Sequence, residues 1–292
     1  MPPRALDPAP LQRVPPQLLA VTAILSVQFG SAFARTFFDE TGPMGAAALR
    51  LFFGSLILAA IVRPRVRTWK RRTWLTVIGL GLALAGMNSL IYLAFEHVPV
   101  GVAVTVEFLG PLMVALTQTR RITDAAWALL ALAGVVLLGF DATGSLDWIG
   151  LVLAALAALF WAGYILTSSR LGADAVGVAP LSVAVLVAAV VVVPIGAGSA
   201  VNAVTEHPTL LLVFVLVAIL TSVLPYALEF IALKRMPTRV FGVLSSLGPA
   251  VAALAGFVVL HEALSWVQVL ALILVTIASV GVTVLRPRKG TP

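Results

Sequence analysis

The chain has 292 residues, 61% of them hydrophobic and only 11% charged, with a formal net charge of +7 and no cysteine. Soluble domains carry roughly 25% charged residues, so a soluble globular protein of this length is excluded. The missing cysteines exclude a disulfide framework and a thiolate metal site.

Residues 1–16, MPPRALDPAPLQRVPP, are Pro-rich and polar and are expected to form a disordered cytoplasmic N-terminus. The apolar run that follows is too long for a signal-peptide core and has no Ala-x-Ala ending, which predicts a retained first helix. Ten apolar runs follow one another at 17–34, 43–62, 74–95, 101–119, 125–140, 148–169, 178–200, 209–233, 240–260 and 266–285. Each is near the length that crosses a bilayer at about 1.5 Å per residue, and 125–140 is the shortest. The predicted fold class is an all-α polytopic membrane protein of ten transmembrane helices.

The basic residues fall in alternate loops. Arg4 and Arg13, the run from Arg63 to Arg72, Arg120 and Arg121, Arg170, Lys234, Arg235 and Arg239, and Arg286, Arg288 and Lys289 make one set. The other loops carry Asp39, Glu40, Glu96, Asp141, Asp147, Glu206 and Glu262. By the positive-inside rule both termini are cytoplasmic, and 286–292 is a basic cytoplasmic tail. Topology and contact with anionic membrane lipids account for the positive charge, so no nucleic-acid partner is expected.

YLAFEHVPVGVAVTVEFLGPLMVAL (92–116) aligns without gaps on FIALKRMPTRVFGVLSSLGPAVAAL (230–254). Pro99 falls on Pro237, Gly110-Pro111 on Gly248-Pro249, and Asp124 on Glu262. Residues 17–140 and 147–285 therefore read as two copies of a five-helix unit. An odd number of crossings makes the second copy enter inverted, and the charges agree: Glu96-His97 corresponds to Lys234-Arg235. Inverted repeats are the architecture of secondary transporters, with the substrate near the midplane between them.

Each copy has a helix breaker in mid-span. Pro111 cannot donate to the carbonyl of Glu107, nor Pro249 to that of Ser245. Freed backbone at membrane depth is tolerated against protein or a wet cavity, so the fourth and ninth spans are expected to line one. A plain packing kink, with Gly110 and Gly248 allowing close approach, is the competing reading.

Three ionisable residues lie well inside spans: Arg50, Glu107 and Glu229. A charge there costs roughly 2.5–3.5 kcal/mol on insertion scales, so each needs a partner or water. Arg50 and Glu107 lie at similar depth and can meet, as a substrate site or as a structural ion pair. Glu229 is expected nearer the cytoplasmic interface, within reach of Lys234 and Arg235, and Arg35 is expected to snorkel or pair with Asp39. Gln28, Ser31 and Arg35 share a face of the first span, and Asn88 and Tyr92 a face of the third. Trp161 and Tyr164 sit on the sixth, Ser222, Tyr226 and Glu229 on the eighth, and Ser245 and Ser246 on the ninth. HEALS (261–265) lacks the second His of a zinc-protease motif, and no Gly-x-Ser-x-Gly or P-loop occurs. No metal, no cofactor and no enzyme activity are expected.

GMNSLIYLAFEHVPVGVAVTVEFLGPLMVAL (86–116), ALRLFFGSLILA (48–59) and LPYALEFIALKRMPTRVFGVLSSLGPAVAALAGFVVLHE (224–262) carry a resemblance. The chain resembles the drug/metabolite transporter superfamily, its ten-helix EamA-type exporters, and within these the bacterial inner-membrane threonine/homoserine exporters. The resemblance implies efflux of small hydroxylated amino acids coupled to proton entry, with Arg50, Asn88, Tyr92, Glu107, Tyr226, Glu229 and Arg239 as the matching polar positions. Ser245, Ser246 and Leu247 depart from the pattern, which leaves selectivity open. Other solutes of the superfamily (an aromatic amino acid, a purine, a cationic compound) are the first alternative. A membrane scaffold or an intramembrane enzyme is the second.

An amino-acid zwitterion needs a cation for its carboxylate and an acceptor for its ammonium. The expected substrate site is Arg50, Asn88, Tyr92, Glu107, Trp161, Tyr164, Tyr226 and Ser245, with Glu107 and Glu229 as proton-coupling acids. Expected partners are the amino acid, protons, membrane lipids and, as a candidate, a second copy of the chain.

Overall fold

The computed structural model describes residues 14–117, 122–139, 147–170, 178–236, 241 and 244–284, and among the described residues the main helices follow one another as ten elements. The expectations for the N-terminal segment, Arg120, Arg121, Asp141, Arg239 and the basic tail lie outside the described residues. The helices are α1 (Pro16–Arg35), α2 (Phe38–Val62), α3 (Arg71–His97), α4 (Val100–Glu107 and Leu109–Thr117) and α5 (Ile122–Gly139). Then come α6 (Trp148–Ser168), α7 (Ala179–Glu206), α8 (Leu210–Ala218, a π turn Ile219–Val223, and Leu224–Arg235), α9 (Gly248–Leu260) and α10 (Trp266–Val284). Among the described residues α1, α2, α3, α6, α7 and the Leu210–Glu229 part of α8 are each long and apolar enough to cross a bilayer. The protein is a multi-pass membrane protein.

Local sequence sets the helix ends. Pro16 opens α1, where a missing N–H leaves no bond unmade. Asp147 caps α6 by accepting the Ile149 N–H at 2.9 Å. Gly42, at φ 63°, breaks α2 one residue before Pro43, so its apolar part begins where the sequence places the second span.

Polarity is arranged inside out. Leu212 is 76% exposed and Trp266 89%, while Ala20, Ala23, Ala34 and Ala46 are fully buried. Large apolar side chains face the lipid, and small residues meet in the interior, where close backbone approach replaces the hydrophobic effect as the cohesive force. A Cβ on Gly81 would strike the Ala184 carbonyl of α7, one on Gly196 the Met44 carbonyl of α2, and one on Gly110 the Ala158 carbonyl of α6.

Helix partners repeat under exchange of the two halves. α2 packs on α7, α4 on α9 and α5 on α10, each on its own counterpart. α3 on α6 is matched by α8 on α1, α3 on α7 by α8 on α2, and α4 on α6 by α9 on α1. This is the contact pattern of two five-helix units related by a twofold axis; five crossings per unit, an odd number, put that axis in the membrane plane, as an inverted repeat requires. The helix breaks obey the same offset. α4 is interrupted at Phe108, and turn residues Ser246 and Leu247 precede α9; Phe108 and Ser246 are equivalent positions in the 92–116 and 230–254 alignment.

Candidate functional site

A cavity of about 170 Å³ lies where α1, α2, α3, α4, α6 and α8 converge. Drug-sized ligands occupy pockets of roughly 300–1,000 Å³, so this one suits a smaller solute. Arg50 enters it from α2 and Glu107 from the end of the first α4 segment; they are 6% and 8% exposed. They share the cavity, and among the described residues they form no direct ion pair. Arg50 Nη2 instead donates to the Thr221 carbonyl at 3.3 Å, and its guanidinium carbon lies 5.3 Å from the centroid of the Tyr92 ring.

Two buried polar atoms here have no hydrogen-bond partner: Arg50 Nε and Tyr92 Oη. An unpartnered buried donor costs about 1–3 kcal/mol, which a bound acceptor would offset. Asn88 donates Nδ2–H to the Leu84 carbonyl at 2.7 Å, leaving Oδ1 as the atom for the cavity. Phe108 meets Trp161 edge to face, with ring centroids 4.9 Å apart, and these rings wall one side. Gly248 of α9 leaves the room Phe108 occupies, since a Cβ there would collide with the ring. Tyr164, Tyr226 and Glu229 line another part of the cavity.

One side of the bundle is tied across the two halves. His261 ends α9 in a left-handed conformation (φ 57°), and Glu262 folds back on Gly256. There its carboxylate pairs with Arg35 of α1 and accepts the Val100 N–H of α4 at 2.9 Å. Beside it His97 Nδ1 lies 2.8 Å from Asp147 Oδ2. The Asp147 carboxyl is held below the usual carboxylate range, first by the Ile149 N–H and further by His97.

Known proteins resemble the chain at three levels. The EamA-like transporter family matches residues 148–284. The threonine/homoserine exporter RhtA of Salmonella typhimurium strain LT2 is 43% identical over 277 residues, covering 94% of this chain and 93% of that protein. The exporter of the same name from Escherichia coli K12 is 41% identical over 282 residues, covering 94% and 95%. The chain belongs to the EamA-like transporter family. A crystal structure 23% identical in sequence superposes with a TM-score of 0.60 over 92% of this chain and 96% of that one, and it supports the fold.

Within this EamA-like fold the residues expected from sequence mostly converge. Arg50, Asn88, Tyr92, Glu107, Trp161, Tyr164, Tyr226 and Glu229 all line the one cavity. Ser245 does not: its hydroxyl donates to the Phe241 carbonyl at 2.9 Å, a bond within its own segment. Arg35 pairs with Glu262 rather than Asp39, because the fold brings α9 to the end of α1. Glu229, expected at the interface, faces the cavity beside Tyr226. Gly110-Pro111 follows the α4 break at Phe108, and Gly248-Pro249 begins α9. Among the lining residues that the sequence did not single out are Phe108 and Thr221. Phe108 carries no sequence signal beyond its place between Glu107 and the Gly-Pro pair. Thr221 contributes its carbonyl, and Pro225 four residues later was the available clue.

Proposed function

We propose that this protein exports small amino acids of the threonine and homoserine type from the cytoplasm. It works by proton antiport with alternating access, in the cell inner membrane with both termini cytoplasmic. The observation that carries the reading is the pairing in one small cavity of a buried guanidinium that has unused donors with a buried carboxylate it does not bond. A zwitterion supplies what each lacks. The names of the RhtA relatives support the substrate class, and the cavity volume favours a small solute over a drug-sized cation.

Arg50 takes the substrate carboxylate through parallel N–H donors, with Tyr92 Oη in reach as a further donor. Glu107, ionised, takes the ammonium. Asn88 Oδ1 and the Tyr226 hydroxyl serve the side-chain hydroxyl, and the Phe108–Trp161 wall limits the size of the side chain. A proton arriving from outside neutralises Glu107, which releases its hold on the ammonium, and substrate leaves outward. Glu229 provides the second proton-accepting position on the cytoplasmic side. Residues 17–140 and 147–285 are the two units that rock. In this reading the Arg35–Glu262–Val100 contacts hold the outer side closed.

Purified protein in proteoliposomes with an imposed pH gradient tests this against a panel of threonine, homoserine, phenylalanine, a purine and a quaternary cation. The reading expects gradient-driven flux of threonine or homoserine, absent from protein-free vesicles. Flux of the purine or the cation alone would refute it.

A further inference from the structure

Helix α8 changes winding where it passes Arg50. In an α-helix the Leu224 N–H would go to Leu220; here it donates to Ile219, closing the wide turn Ile219–Val223. The next residue, Pro225, has no N–H and cannot serve Thr221. Two consecutive carbonyls therefore lose their α-helical donors in the middle of a membrane span. Both are taken by side chains from the other five-helix unit. The Ser26 hydroxyl of α1 donates to the Leu220 carbonyl at 2.5 Å, and Arg50 Nη2 of α2 donates to the Thr221 carbonyl at 3.3 Å.

The approach is close on both sides. A Cβ on Gly30 of α1 would collide with Leu220 and Thr221, and one on Gly54 of α2 would touch Ser222 at 3.4 Å. Turns of this kind occur mostly as single insertions within α-helices, frequently at functional sites. This one solves a specific problem. A carboxylate holding Arg50 would compete with any substrate carboxylate, whereas no partner at all would leave the guanidinium undirected in an apolar surrounding. A single carbonyl dipole fixes its direction and leaves Nε and the remaining N–H groups for a ligand.

We infer that the Ile219–Val223 turn and Pro225 position Arg50, with Ser26 holding the turn in place, and that this positioning sets the preference for substrates bearing a carboxylate. The inference rests on Arg50 being the carboxylate clamp proposed above. Pro225→Ala restores an N–H that competes with Arg50 for the freed carbonyls. Ser26→Ala leaves the Leu220 carbonyl without its donor and loosens the same turn.

The test is threonine flux in proteoliposomes, with threoninol as competitor; threoninol keeps the ammonium and hydroxyls but has no carboxylate. Pro225→Ala is expected to raise the half-saturating threonine concentration about tenfold, the scale of one charge-assisted hydrogen bond. The maximal rate stays within about twofold, and inhibition by threoninol does not change, a split that a general packing fault would not produce. Ser26→Ala moves the same quantities in the same direction by a smaller factor, and it decides the matter if Pro225→Ala fails to insert. Wild-type half-saturation in the recoverable variants, alongside loss of threonine binding in Arg50→Lys, overturns the positioning role alone. Wild-type threonine binding in Arg50→Lys overturns the clamp, and the positioning role with it.

Discussion

Glu262 accepts the backbone N–H of Val100 at 2.9 Å while its other oxygen pairs with Arg35. One carboxylate thus joins the end of α1, the first turn of α4 and the end of α9, elements of both five-helix units. In the proposed alternating-access cycle, with both termini cytoplasmic, these contacts break for the outer side to open. Glu262→Gln keeps an acceptor for Val100 and removes the charge that holds Arg35. Because the chain has no cysteine, a single Ser31→Cys reporter in the cavity needs no background removal. Its labelling by a membrane-impermeant thiol reagent from outside is expected to quicken several-fold when Glu262→Gln is added. Unchanged labelling would show that the contact does not hold the outer side.

Close helix approach makes a second prediction. Gly110 meets the Ala158 carbonyl of α6, a backbone atom that cannot yield, whereas Gly198 has nothing within 4 Å. Gly110→Ala is expected to cost about 1–3 kcal/mol, as overpacking of a tight site does. Gly198→Ala is expected to match the native protein or exceed it by up to about 0.5–1 kcal/mol, the helical advantage of Ala over Gly. Thermal unfolding in detergent, followed by size-exclusion chromatography, ranks the two.

A third concerns the contact between the end of α3 and the start of α6. Asp147 caps α6 through Ile149 and faces His97. Its pKa is lower folded than unfolded, so the cap is fully present above the ordinary carboxylate pKa and is lost as pH falls through the lowered folded value. Asp147→Ala should lower the unfolding temperature at neutral pH, and the gap from the native protein should narrow in acid. A gap independent of pH would remove the ionised cap as its cause.

The ten spans, the internal repeat and most of the cavity lining were legible because membrane insertion penalises every polar residue that lacks a reason to be there. Arg50, Asn88, Glu107 and Glu229 stand out against hydrocarbon for that reason, and the helix-breaking pairs gave the symmetry. What sequence could not give was which polar group meets which. Arg35 has an acid four residues away in Asp39, yet the fold supplies Glu262 from a distant helix end. Ser245 occupies the position equivalent to Glu107, but a hydroxyl can satisfy itself on its own helix, where a carboxylate cannot, and it donates to Phe241. Thr221 was hidden because its contribution is a carbonyl, which any residue has. Only the winding of α8 and the position of Pro225 select it.

The central claim is that Glu107 couples substrate to protons in the cavity it shares with Arg50. Reconstituted native protein and Glu107→Gln, matched for insertion and unfolding temperature, are compared for threonine transport against its concentration gradient under an imposed pH gradient. The expected result is accumulation by the native protein and none by Glu107→Gln. Uphill transport by Glu107→Gln at the native rate would contradict it.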